Sequence, residues 1–172
     1  LFLLLVALTV GVASAIALND GWTADGVPVT LPHCWNVEDG TDGPTDAKCW
    51  NHDSVAGTGY ARRKVVYRRE LPPSEKTRWL RVNAASIHAV VRVDGREVGR
   101  HAGAYTGFTF EITDALKQDT PNRLEIVVDN RFDKDVPPIS ADFTPYGGLY
   151  RDVWLVETDP VCIDPIADGA DG

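Results

Sequence analysis

Asp94-Gly95 lies between two alternating runs, 88–93 and 96–99, and this dipeptide constrains the fold more than any other feature. A type I′ turn needs positive φ at both central positions, which Asp and Gly supply with little strain, so a tight antiparallel hairpin is expected. Similar runs recur along the chain. Residues 27–31, 60–71, 78–83 (through Trp79, Leu80 and Val82), 108–112, 124–128 and 150–157 all read as strands. Pro32, Pro72-Pro73 and Pro121-Asn122 stop or turn them. Residues 113–116 read as one helical turn, and nothing is long enough for the crossover helix of a βαβ unit. About eight strands at short spacing predict an all-β chain, an antiparallel β-sandwich of the jelly-roll kind.

At 172 residues and 18.8 kDa, one domain with a sizeable core is expected. The net charge of −8 argues against a nucleic-acid partner, because few cations are available to neutralise phosphates. Arg62-Arg63-Lys64 and Arg68-Arg69 fall in a strand-like run and form no block, so a solvated outer face is their expected place.

Residues 1–18 carry no charge, are rich in Leu, Val and Ala, and end near Ala13-Ser14-Ala15. That is the apolar core and small-residue ending of a secretory signal, expected over residues 1–17 with cleavage after Ala15 or Ala17. The chain has no Met, so the start and its basic leader are expected upstream. An uncleaved anchor is the rival, since about 18 apolar residues barely span a bilayer. Export to the periplasm or the outside would place Cys34, Cys49 and Cys162 in an oxidising compartment. Cys34 and Cys49 could bridge, and an odd count leaves one thiol over. No spacing among them suggests zinc.

Chemistry has few places to reside. Ser86 and His88 are two apart in a strand-like run and would share a face, but no nucleophile elbow surrounds the serine. His101 is expected to hold its loop, and His33 and His52 lie in a long Gly/Asp/Asn-rich stretch, 33–59, expected to be a rim loop. No pair of carboxylates stands out as acid and nucleophile. The promising stretch is 137–155. Prolines open it, Asp142 stands next to Phe143 and near Tyr146, and Gly147-Gly148 bends into the last strand. A carboxylate accepts hydrogen bonds from hydroxyls while flat rings cover the apolar faces of a sugar, so Asp142 is the candidate substrate-binding residue. The alternative is a buried loop acid that caps its own backbone.

Several phrases carry a resemblance. Leu31-Pro32-His33-Cys34-Trp35-Asn36, Val91-Arg92-Val93-Asp94-Gly95-Arg96-Glu97, Phe108-Thr109-Phe110-Glu111-Ile112-Thr113-Asp114 and Tyr146-Gly147-Gly148-Leu149-Tyr150-Arg151-Asp152-Val153 resemble, in order, glycoside hydrolase family 2. The likeness covers about residues 19–159 and concerns the N-terminal sugar-binding jelly roll, most like the β-galactosidase branch. It implies domain bounds of 18–158, with 159–172 starting a linker toward an Ig-like domain and a catalytic TIM barrel. Both catalytic glutamates of a retaining exo-β-glycosidase would reside on that barrel, so no catalytic residue is expected here. By position, Asp142 matches an acid that reaches the active site and touches sugar hydroxyls, beside a bound cation in some β-galactosidases. No cofactor or metal is expected within this segment itself. Arg151-Asp152 match a pair for which a structural role at the bend is expected. Cys34, Gly103-Ala104-Tyr105 and the insert around Cys49-Trp50 depart from the family pattern.

The implied function is carbohydrate metabolism by an exported enzyme that hydrolyses O-glycosyl bonds of a β-glycoside substrate. Its partners are its own later domains; a homo-oligomer stays open, and no membrane contact beyond the signal is expected. The alternatives are a free-standing carbohydrate-binding module or adhesin, or a degenerate interaction domain.

Overall fold

The computed structural model describes residues 13–36, 62–137 and 146–162. Ten strands follow in order: β1 (Ser14–Ala17), β2 (Trp22–Ala24), β3 (Val27–Val29), β4 (Lys64–Leu71), β5 (Thr77–Val82), β6 (His88–Val93), β7 (Arg96–Ala102), β8 (Phe108–Glu111), β9 (Asn122–Asp129) and β10 (Val153–Thr158). They form two antiparallel sheets, a six-stranded one ordered β3-β2-β4-β9-β6-β7 and a four-stranded one ordered β1-β10-β5-β8. This is the expected jelly-roll sandwich.

Period-two burial builds the core. Val65, Tyr67 and Leu71 of β4, Leu124, Ile126 and Val128 of β9, and Ala89, Val91 and Val93 of β6 turn inward. Leu80 and Val82 of β5 and Val153 and Leu155 of β10 face them from the second sheet. Each large side chain so buried stabilises the fold by roughly 1.5–3 kcal/mol. The outer face of the six-stranded sheet is charged, with Glu125 bridging Arg68 at 3.0 Å and Arg92 at 3.2 Å. Gly99 of β7 lets the Phe110 ring of β8 cross the gap between sheets, for an added Cβ would meet it at 2.6 Å.

The hairpin forms as expected, with Asp94 and Gly95 at φ of +47° and +87°. Lys117 pairs with the Asp94 carboxylate at 2.8 Å and, with the Arg123 backbone N–H, holds its pKa below the usual range. The helical turn is a 3-10 turn, Thr113–Ala115.

Two expectations need correction, those on Cys34 and on Ser86 with His88. Within β5, alternation turns Trp79 away from the face of Leu80 and Val82 and brings Arg78 in, 3% exposed. Arg78 tolerates that position because Glu157 pairs with it at 2.7 Å and the Pro72 carbonyl accepts another N–H. Cys34 is a free thiol that donates to Asn36 Oδ1 at 2.9 Å, so it does not bridge to Cys49, which lies outside the described residues. Ser86 and His88 share no strand face: β6 begins at His88, and Ser86 is buried in an isolated bridge to Gly148.

Ser14–Ala17, inside the stretch expected as a signal, pairs along β10 as an edge strand. Among the described residues no helix is long and apolar enough to cross a membrane.

Candidate functional site

One end of the sandwich gathers the loops. Strand registers place the starts of β4, β6, β8 and β10 and the ends of β7 and β9 together. The segments 30–36, 83–87, 103–107, 130–137 and 146–152 therefore share this rim. Two of them are laced together: His33 N–H donates to the Leu149 carbonyl at 2.8 Å and Trp35 N–H to Gly147 at 2.9 Å. The Gly147 N–H returns to Asn36 Oδ1 at 2.9 Å.

Glycine is required at this seam. Gly148 has φ of +129°, and a Cβ there would lie 2.5 Å from the His33 carbonyl and 2.7 Å from the Tyr67 hydroxyl. His33 Nδ1 is 2.7 Å from that hydroxyl, tying the loop to β4. Burial, helped by Arg63, lowers the His33 pKa, while burial raises that of Tyr67. The Arg63 guanidinium stands 5.6 Å over the Trp35 ring, and its backbone N–H donates to Asn130 Oδ1.

A second group is aromatic. Tyr146 and Tyr105 are exposed, at 55% and 39%. The Tyr146 and Tyr150 ring centroids are 5.1 Å apart, and Arg151 lies 5.8 Å over Tyr150. The Tyr150 hydroxyl donates to the Ala104 carbonyl, and burial pushes its pKa up to about 12. His88 Nε2 meets Asp133 at 2.8 Å, and the His101 and Phe108 rings stack with centroids 4.5 Å apart.

The expected site residues divide accordingly. Asp142 and Phe143 lie outside the described residues, as do His52, Cys49 and Trp50, and any cation beside Asp142 lies outside with it. The described neighbours on either side, Pro137 and Tyr146, both stand at this rim. His101 holds its loop as expected, through Thr106 Oγ1 at 3.1 Å. Asp152 is structural, accepting from Asn19 at 3.0 Å. The Ser86 hydroxyl has no hydrogen-bond partner, so no base activates it. Among the described residues no three His, Cys, Asp or Glu side chains are grouped to hold a metal. Sequence reasoning did not bring Tyr105, Tyr146 and Tyr150 together; the only hint was two tyrosines flanking a Gly-Gly bend.

The jelly-roll frame thus carries a rim of aromatics, an arginine and tightly laced loops, with no activated nucleophile among the described residues. No family model matches the chain. Over 175 residues it is 34% identical to a β-glucuronidase of Bacteroides fragilis, using 96% of this chain and 24% of that protein. Over 70 residues it is 44% identical to a β-galactosidase of Thermoanaerobacter pseudethanolicus, using 39% of this chain and 9% of that one. The crystal structure of a Bacteroides uniformis β-glucuronidase superposes with a TM-score of 0.70 at 34% identity, over 86% of this chain and 18% of that chain. The chain thus spans about a quarter or less of each relative's length. It belongs to glycoside hydrolase family 2 and corresponds to the N-terminal jelly-roll domain of the relatives it matches.

Proposed function

We propose that this domain forms one wall of the active site in an exported, retaining exo-β-glycosidase whose catalytic glutamates stand on a later barrel. The observation that carries this is the match itself. Nearly the whole chain aligns with glycosidases several times longer, at 34% identity to the first. Asp142 is the residue proposed to grip the sugar, because hydrogen bonds from ring hydroxyls to a carboxylate strengthen as charge redistributes in the transition state. Its segment is entered and left at the rim described above. The Gly147-Gly148 seam, which follows Asp142 in sequence, is locked to residues 33–36.

The glycone is proposed to be galactose, on the likeness of the sequence phrases to the β-galactosidase branch. A second reading, glucuronate, is favoured by the names of several relatives, including the two Bacteroides β-glucuronidases described above. Assay of the full-length enzyme with p-nitrophenyl β-galactoside, β-glucuronide and β-mannoside decides between them. Hydrolysis of none would remove the glycosidase proposal.

Export rests on residues 1–17, and the mass of the mature N-terminus tests it. Cleavage after Ala17 would strip β1 from β10, whereas cleavage after Ala15 would leave Ile16 and Ala17 paired with Leu155 and Trp154.

A further inference from the structure

We infer that β7 is an assembly edge on which a second copy of this chain pairs, antiparallel, about a two-fold axis between Val98 and Gly99. An open sheet edge presents unpaired backbone groups, and native proteins blunt it with short strands, proline or covering loops. Three of the four edges here follow that rule. β1 and β8 have four residues each, and β3 has three with Pro28 in the middle. β7 does not follow it. It has seven residues and no proline, and among the described residues no strand pairs with its outer side.

The sequence of β7 is complementary to itself. Glu97 and Arg100 are three apart and would point to opposite faces of a regular strand. The register shift between Val91 and Arg92 makes Val98 an extra residue, which sets Glu97 opposite Arg92 and Arg100 opposite Val90. Both side chains therefore stand on the outer face of the six-stranded sheet, where Glu97 accepts from Arg100 at 2.5 and 3.0 Å. Their backbone groups share a direction too. The Gly103 N–H donates to the Ile87 carbonyl at 2.8 Å, so alternation turns His101 and Gly99 toward β6 and Arg100 away from it. At the other end, the two-residue turn makes Val93 and Arg96 the bonded pair and leaves Glu97 facing out.

A second β7 laid in this register puts Glu97 opposite Arg100 of the second copy, and Arg100 opposite its Glu97. Each such pair exchanges two backbone N–H···O bonds and adds a carboxylate–guanidinium contact. Registers centred on Glu97, Val98 or Arg100 instead set like charges opposite one another. The charge pattern thus selects one alignment and one partner, a copy of the same strand.

Sedimentation velocity of the full-length protein over a concentration series tests this, and needs no glycosidase activity. Self-association that weakens with added salt is expected. Glu97→Arg and Arg100→Glu are each expected to weaken it about tenfold or more, because like charges then meet across the axis. An equimolar mixture of the two variants is expected to regain the affinity of the unaltered protein to within about threefold, since their charges complement each other only between chains. Amide exchange of a peptide covering 96–102 in the unaltered protein gives a second reading that no folding defect can affect, and should slow as concentration rises. A monomer up to about 100 μM would overturn the inference. So would association that either charge reversal leaves within about twofold, or a mixture no tighter than its components.

Discussion

Asn36 Oδ1 accepts the backbone N–H of Gly147 at 2.9 Å, joining two loops 111 positions apart in sequence. In sequence, one loop precedes residues 37–61 and the other follows residues 138–145, which lie outside the described residues. The bond is buried, and with the two backbone bonds beside it the seam behaves as an added strand pair with a side-chain clasp. We propose that the placement of Asp142 rests on this seam.

Gly148→Ala tests that dependence. The new methyl meets the His33 carbonyl and the Tyr67 hydroxyl in a backbone conformation that L residues avoid. A loss of about 2–4 kcal/mol in unfolding free energy is expected, read from denaturant midpoints. Gly95→Ala serves as comparison: φ is also positive there, at +87°, but nothing lies within 4 Å, so a loss of only about 1 kcal/mol is expected.

The Arg78–Glu157 pair ties β5 to β10 at the end away from the rim. Glu157→Leu leaves a guanidinium that is 3% exposed without its carboxylate and is expected to destabilise by about 3 kcal/mol. Adding Arg78→Met should recover most of that loss, because the stranded charge is gone. A thermal melt of the two variants checks both signs.

Acid is expected to weaken the domain through His33. Burial and Arg63 keep its folded pKa below 6.5, so the unfolded chain binds the proton more readily. The stabilising contribution is present above the unfolded value and is lost as pH falls through the folded one. His101 shifts in the same direction through burial and the neighbouring His88. Urea midpoints should fall between about pH 7 and pH 5, and His33→Gln should flatten that slope while leaving Tyr67 a polar partner. An unchanged slope in His33→Gln would count against the shift.

Much of the frame was legible in the residues. The Asp94-Gly95 turn, the alternation in β6 and β9 and the closing strand at Val153 follow from side-chain size and period alone. β1 and β2 were not legible, since Ser14–Ala17 sits in an apolar run that reads as a signal and Trp22–Ala24 is too short for a period. The inward turn of Arg78 was hidden as well, because the carboxylate that balances its charge, Glu157, is distant in sequence.

The site was less legible than the frame. Aromatics and an acid around a Gly-Gly bend drew attention to 137–155, but nothing local shows that Tyr105 arrives beside Tyr146 by way of the β7–β8 connection. Cys34 illustrates the same limit. Cysteine spacing allowed a bridge, whereas the thiol is occupied by Asn36, two residues on.

The most direct test is kcat/KM of full-length Asp142→Ala on the preferred β-glycoside, with the melting temperature recorded to confirm an intact fold. A fall of roughly 100-fold, from hydrogen bonds lost in the transition state, is the expected result. A value within about twofold of the unaltered enzyme would contradict the claim that this domain supplies a substrate-gripping wall.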